Sequence, residues 1–225
     1  MDIARGNKIG NIVHNADIKI NIQIMKYTEI IFILDKSGSM SSIKEFAINN
    51  FNSFLKEQKE LEDDAKMSLI LFDSSFKKVA DRVDIKKIKE LNSETYVPSS
   101  MTAMHDCVCH TIEESIDKLG FMSPQDRPEK TICVIITDGM ENASKIYSSD
   151  DTHYHITEMK EKFNWTFLYV GANQDVIETV DNLGISRSNS MSYSTDSIGI
   201  SHVYSSISKA VKTYRTEDKK EDLLK

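Results

Sequence analysis

The chain has 225 residues, 40% of them hydrophobic and 28% charged, with 28 Lys and Arg against 35 Asp and Glu for a formal net charge of −7. A globule of this length buries about 70% of its unfolded surface, enough for one core without disulfide or metal staples. The acidic balance argues against a general phosphate-backbone binder, and no apolar run approaches the about 20 residues of a membrane span.

The three cysteines are too few for a disulfide framework. No basic stretch followed by an apolar run and a small-residue cleavage site opens the chain. Both features fit a reducing cytosol, so a cytoplasmic location is expected.

Residues 1–25 stand apart from the rest. Residues 1–17 show no period, and then Ile18, Ile20, Ile22 and Ile24 alternate with polar residues as in a half-buried strand. The segment reads as an N-terminal extension, either an extra edge strand or a loose arm. An internal start at Met25 would still leave a complete domain over residues 26–216.

From Thr28 the pattern is α/β. Residues 28–34 (TEIIFIL) form a continuous apolar strand, as expected when both sheet faces are covered. Residues 42–60 carry apolar side chains at helical spacing, and 66–73 with 76–83 read as a hairpin. A short helix is expected at 85–91 and an amphipathic one at 103–119. Residues 130–137 (KTICVIIT) are a second buried strand. Helix is expected at 150–162, strand at 164–170, helix at 174–183, a short strand at 189–193 and a final helix at 196–215. Asp196 or Ser197 would cap that last helix. The charged tail, residues 217–225, is expected to fray. Strands alternating with helices predict a doubly wound, Rossmann-like, mostly parallel sheet with one antiparallel edge strand and helices on both faces.

In such a sheet, sites form beyond the carboxyl ends of the strands, where strand order reverses. Asp35-Lys36-Ser37-Gly38-Ser39 follows the first strand, and Asp138-Gly139 follows the 130–137 strand. Thr102 lies just ahead of the 103–119 helix. Two carboxylates and three hydroxyls make an all-oxygen set suited to a hard cation. Five such groups leave the shell of a six-coordinate magnesium ion incomplete, so the site is open to water or an outside ligand.

Asp35-x-Ser37-x-Ser39, Thr102 and Asp138, split over three loops in this order, resemble the metal-ion-dependent adhesion site of von Willebrand factor type A (vWA) domains. The resemblance covers roughly residues 27–215. It implies direct metal bonds from Ser37, Ser39 and Thr102, with Asp35 and Asp138 acting through water or switching to direct contact. It also implies a partner carboxylate at the sixth position and a shift of the last helix on binding. Residues 137–144, 169–173 and 198–215 are similar to small stand-alone intracellular members from bacteria and their phages. Lys36 beside the metal loop is expected to weaken cation binding by repulsion. Met101 stands where a small residue or Gly is common in that family.

Other signals have plainer explanations. His105, Cys107, Cys109 and His110 share one helix, but Cys107 and Cys109 point about 200° apart and only His105 and Cys109 share a face. Zinc is therefore disfavoured against core packing of Cys107 and Cys133. His153 and His155 are expected at the surface, and Trp165 and Phe167 in the core. The ten serines of 186–208 suit caps and exposed faces. Glu141 and Asn142 either rim the metal site or cap the next element.

The function expected is that of a binding module rather than an enzyme. A divalent cation, Mg²⁺ before Mn²⁺ or Ca²⁺, is held by Asp35, Ser37, Ser39, Thr102 and Asp138 and docks an Asp or Glu of another protein. No nucleic-acid or membrane partner is expected. The helix N-termini near residues 41 and 103 would favour the incoming anion. A metal-dependent hydrolase or phosphatase is the first alternative, although no Walker loop, nucleophile elbow or zinc-protease motif occurs. A structural or regulatory domain whose cation only stabilises the loops is the second.

Overall fold

The computed structural model describes residues 26–172, 176–217 and 219–225. The expected strand at 18–24 lies outside the described residues. Six strands run β1 (Thr28–Asp35), β2 (Ala65–Phe72), β3 (Phe76–Asp84), β4 (Lys130–Thr137), β5 (Thr166–Ala172) and β6 (Ser190–Tyr193). Five α-helices interleave with them: α1 (Lys44–Lys59), α2 (Met104–Phe121), α3 (Ser149–Phe163), α4 (Val176–Leu183) and α5 (Ser197–Thr216). A 3₁₀ segment, Gly38–Ile43, precedes α1.

The sheet order is β3-β2-β1-β4-β5-β6, and only β3 is antiparallel to its neighbour. β1 is buried along its whole length, and its side chains alternate between two cores. Ile30, Phe32 and Leu34 face α1 and α5, where Phe32 packs 5.3 Å from the Phe51 ring and 5.0 Å from Phe54. Ile31 and Ile33 face Val108 and Ile112 of α2 and Ile156 and Met159 of α3. Cys107 and Cys133 are buried in this second core, as are Trp165 and Phe167. The chain leaves β1 for β2 on one side, while β4 docks on the other. Strand order thus reverses between β1 and β4, and in doubly wound sheets binding sites form beyond the carboxyl ends of the strands at that point.

Two expected elements differ. The 85–91 helix is a single 3₁₀ turn, Ile85–Lys87. Ile85, Ile88 and Leu91 are buried at helix-like spacing, but the backbone beyond the turn is served by α1. Lys59 Nζ donates to Ile88 O at 2.7 Å, and Asn52 brackets Leu91 by accepting from its N–H at 2.8 Å and donating to its carbonyl at 2.9 Å. With those groups satisfied, no helical ladder is required.

The second difference is the tail, which is docked rather than frayed. Leu223 and Leu224 are buried in the α1/α5 core. Leu224 N donates to Ser188 O at 3.1 Å, Leu223 N to Asn189 Oδ1 at 3.1 Å, and Asn189 Nδ2 to Lys220 O at 2.9 Å.

α5 is anchored at both ends. Asp196 caps it by accepting from the Ile198 and Gly199 amides. At the far end the Arg215 guanidinium reaches Asp63 Oδ2 at 2.9 Å, Gln58 O at 2.7 Å and Asp63 O at 2.9 Å, closing on the C-terminal end of α1. Ser208 breaks the serine pattern: it is buried and bonded to Gln58 and Glu57 of α1. No described helix is long and apolar enough to cross a membrane.

Candidate metal centre

Asp35 ends β1 and is fully buried. Its Oδ1 accepts from Ser37 N at 2.6 Å, an Asx turn that folds the loop back over the strand end. Its Oδ2 accepts from Thr137 Oγ1 at 2.6 Å, tying β1 to β4. Tyr96 holds the same residue from below by donating to Asp35 O at 2.6 Å. Ser37 Oγ lies 3.0 Å from Ser39 Oγ, and Ser39 Oγ donates to Asp138 Oδ1 at 2.6 Å. A continuous chain of oxygens therefore runs from the β1 loop to the β4 loop.

Thr102 joins this group through Gly139. A Cβ added at Gly139 would lie 3.1 Å from Thr102 Oγ1, 3.6 Å from Ser39 Oγ and 4.0 Å from Ser37 Oγ. Three hydroxyls from two loops thus face one point, and glycine at 139 keeps it clear of a side chain. All five residues expected from the sequence are gathered here. The donor set is entirely oxygen, with no sulfur or imidazole, which fits a hard divalent cation.

Burial pushes the Asp35 carboxyl up to about 6, more than the hydrogen bonds from Thr137 and Ser37 recover, and the neighbouring Asp138 adds repulsion. Burial likewise raises Asp138, against the bond from Ser39. Two desolvated acids side by side are costly to ionise without a positive charge between them.

Asp73 and its serine partners support the site without any expectation from the sequence, and Lys36 differs from the expectation stated above. Lys36 does not point its charge at the site: its ammonium pairs with Asp73, a buried acid just past β2. Asp73 Oδ1 accepts from Ser75 N at 2.8 Å and Ser75 Oγ at 2.9 Å, and Oδ2 accepts from Ser99 Oγ at 2.8 Å. Burial would raise the Asp73 carboxyl, but Lys36 and these donors outweigh it and hold it below its usual range. The signal was legible: Asp73-Ser74-Ser75 repeats, at the end of β2, the Asp-x-Ser turn that ends β1.

Glu141 and Asn142 act as struts. Asn142 Oδ1 accepts from Thr102 N at 2.9 Å, and Thr102 O accepts from Asn142 N at 3.0 Å. Glu141 accepts from Ala143 N at 2.8 Å, Ser144 N at 2.7 Å and, across the gap, His105 N at 3.1 Å in the first turn of α2. The cap therefore serves the preceding helix, not the following one. These donors hold the Glu141 carboxyl below its usual range against the opposing effect of burial.

No cluster of three or more His, Cys, Asp or Glu suited to a metal occurs among the described residues. His105 and Cys109 do share a face, and both meet Thr152 Oγ1, at 2.9 and 3.3 Å. His153 is exposed as expected, but His155 is not. Its side chain is 15% exposed, with Nε2 3.4 Å from Glu113 and rings of Tyr147 and Tyr154 set edge-on around it. The α2 head begins at Met104, beside Thr102, while α1 proper starts only at Lys44, behind the 3₁₀ segment that opens at Gly38.

No protein-family model and no curated protein sequence matches the chain. Solved structures do. The vWF domain of the type V pili tip protein Mfa5 from Porphyromonas gingivalis superposes with a TM-score of 0.59 at 8% identity, over 86% of this chain and 97% of that one. Proximal thread matrix protein 1 from the mussel byssus, in a form with zinc in its MIDAS motif, gives 0.57 at 15% identity over 84% of this chain. The present chain spans 46% of that protein. A von Willebrand factor type A protein from Catenulispora acidiphila gives 0.53 at 13% identity, over 81% and 42% of the two chains. Together with the sheet order, these likenesses show that the chain has the vWA fold.

Proposed function

We propose that this vWA fold is a metal-dependent protein-binding module. Ser37, Ser39 and Thr102 would hold a divalent cation directly, and Asp35 and Asp138 would balance its charge directly or through water. Mg²⁺ is the favoured ion, with Mn²⁺ or Ca²⁺ as alternatives. When bound, the cation supplies a positive centre that attracts a carboxylate, here an Asp or Glu from another protein. The observation that carries this reading is the convergence of three hydroxyls on the point that Gly139 leaves clear, backed by two desolvated carboxylates. The zinc-occupied motif of the mussel protein supports a divalent cation in general.

The chain's own residues do the selecting. Met101 and Met140, 54% and 73% exposed, stand directly beside Thr102 and Gly139 and offer adaptable apolar contacts to a partner. Lys36 is committed to Asp73, so it offers the incoming acid no competing charge. Binding is favoured over catalysis because His105, three residues beyond Thr102, has its Nδ1 engaged with Thr152 rather than turned to the site. A partner in the cytoplasm, and a bacterial or phage setting, accord with the sequence resemblance.

The test is capture of a partner by the purified chain with Mg²⁺ and with chelator. Asp35→Ala and Thr102→Ala should each abolish metal-dependent capture while circular dichroism stays unchanged. Unchanged capture in both variants ends this assignment. Phosphatase turnover with Mg²⁺ or Mn²⁺ that Asp35→Ala removes would favour the enzyme instead. A cation that raises melting temperature without altering any interaction would favour the purely stabilising role.

A further inference from the structure

The segment carrying Thr102, residues 98–103, belongs to no helix or strand. Its backbone is held by partners on other loops. Ser99 N donates to Lys36 O at 2.8 Å, Gly38 N donates to Ser100 O at 3.0 Å, and Ala103 N donates to Asp73 O at 2.8 Å. Ser100 sits at φ +62°, a left-handed conformation that a non-glycine residue keeps only when its surroundings enforce it. Gly38 permits the close approach, since a Cβ there would lie 3.2 Å from Ser100 O.

Two residues recur in this lattice. Lys36 lies between Asp35 and Ser37 on the metal loop, and its backbone carbonyl and ammonium both reach out of that loop. Asp73 takes the ammonium, takes the Ser99 hydroxyl, and through its own carbonyl fixes Ala103, the residue after Thr102. The side chains are 16% and 6% exposed, so the pair is shielded from competing water.

We infer that the Lys36–Asp73 ion pair is the positioning clamp of the metal site: it locks the Ser37–Ser39 loop and the Thr102 loop in register so that their hydroxyls converge. The inference rests on the metal-binding reading above and assigns it two further residues, neither of which is a ligand. It reverses the simple electrostatic expectation for Lys36. A lysine acting only by charge repels the cation, so its removal tightens binding. A lysine acting as a clamp loosens the site when removed. Outer-shell partners of metal ligands are commonly worth about 10–100-fold in affinity.

The experiment is titration with Mn²⁺ alone, followed by its electron paramagnetic resonance signal, on wild type, Lys36→Met, Lys36→Arg and the double variant Lys36→Met with Asp73→Asn. Expected is a loss of about 10–100-fold in Mn²⁺ affinity for Lys36→Met and partial recovery in Lys36→Arg, which restores the ion pair. The double variant leaves no buried charge unpaired and so folds even where the single one does not; it should show the same loss. A purely structural role would lower the melting temperature of these variants while leaving their Mn²⁺ affinity at the wild-type value, and that result overturns the clamp. So does tighter binding by Lys36→Met. If wild type itself binds no Mn²⁺, the metal-binding reading fails and takes the clamp with it; if wild type binds and the variants match it, only the clamp fails.

Discussion

Asp35→Asn should make the cation-free protein more stable at neutral pH, although it removes one of the two carboxylates proposed to balance the cation. The folded carboxyl sits at about 6 against an ordinary 3.8. Its folded value is raised, so the stability it contributes is complete below pH 4 and is lost as pH climbs through about 6. A difference of roughly two on the pH scale, at 1.36 kcal/mol each, is about 3 kcal/mol lost by pH 7. Asparagine mimics the protonated acid. Its carbonyl can accept from Ser37 N and its amide can donate to Thr137 Oγ1. That hydroxyl then turns its hydrogen to Gly139 O, already 3.0 Å away. In metal-free buffer the variant should match wild type near pH 4 and exceed it at pH 7 by about 2–3 kcal/mol, or roughly 4–12 °C in melting temperature. Saturating Mn²⁺ should reverse the order. Urea unfolding across pH measures this directly. A variant less stable than wild type at pH 7 without metal would refute the premise that Asp35 is a buried charge awaiting a cation.

Gly139→Ala places a methyl among the three hydroxyls and should weaken Mn²⁺ binding by at least about tenfold, with a stability cost of only about 1–3 kcal/mol from crowding; unaltered Mn²⁺ affinity by calorimetry would contradict it. Arg215→Met removes a buried guanidinium from partly exposed Asp63 and from the Gln58 and Asp63 carbonyls at the C-terminal end of α1, and should destabilise by about 1–3 kcal/mol in urea titrations, since those carbonyls lose their donor. Removing Leu223–Lys225 exposes core beside β6 and should cost about 2–4 kcal/mol; a frayed tail would give no change.

The two central strands were legible because each is an unbroken apolar run, which a sheet covered on both faces requires. The five site residues were legible for a related reason. Each lies on a loop at a strand end or at the head of a helix, and a doubly wound sheet sends those loops to one edge. What escaped depends on pairing across loops. Lys36 and Asp73 are 37 residues apart, and nothing in the β1 loop announces that its lysine turns to the β2 end. Glu141 follows Asp138 closely, yet it serves α2, which precedes it in the chain. Leu223 and Leu224 stand among charges with no period, so only the three-dimensional surface beside Asn189 shows that they dock. The 85–91 helix failed because spacing reports which side chains are buried, not whether the backbone needs its own ladder.

The central claim is that the hydroxyls facing the Gly139 point hold a divalent cation. The most direct test is the number and affinity of bound Mn²⁺ ions per chain, read from the loss of the free-ion paramagnetic resonance signal, in wild type and Thr102→Ala. One ion per wild-type chain is expected, with binding weaker by about a hundredfold in a Thr102→Ala protein of unchanged fold. No binding by wild type, or equal binding by both, would contradict it.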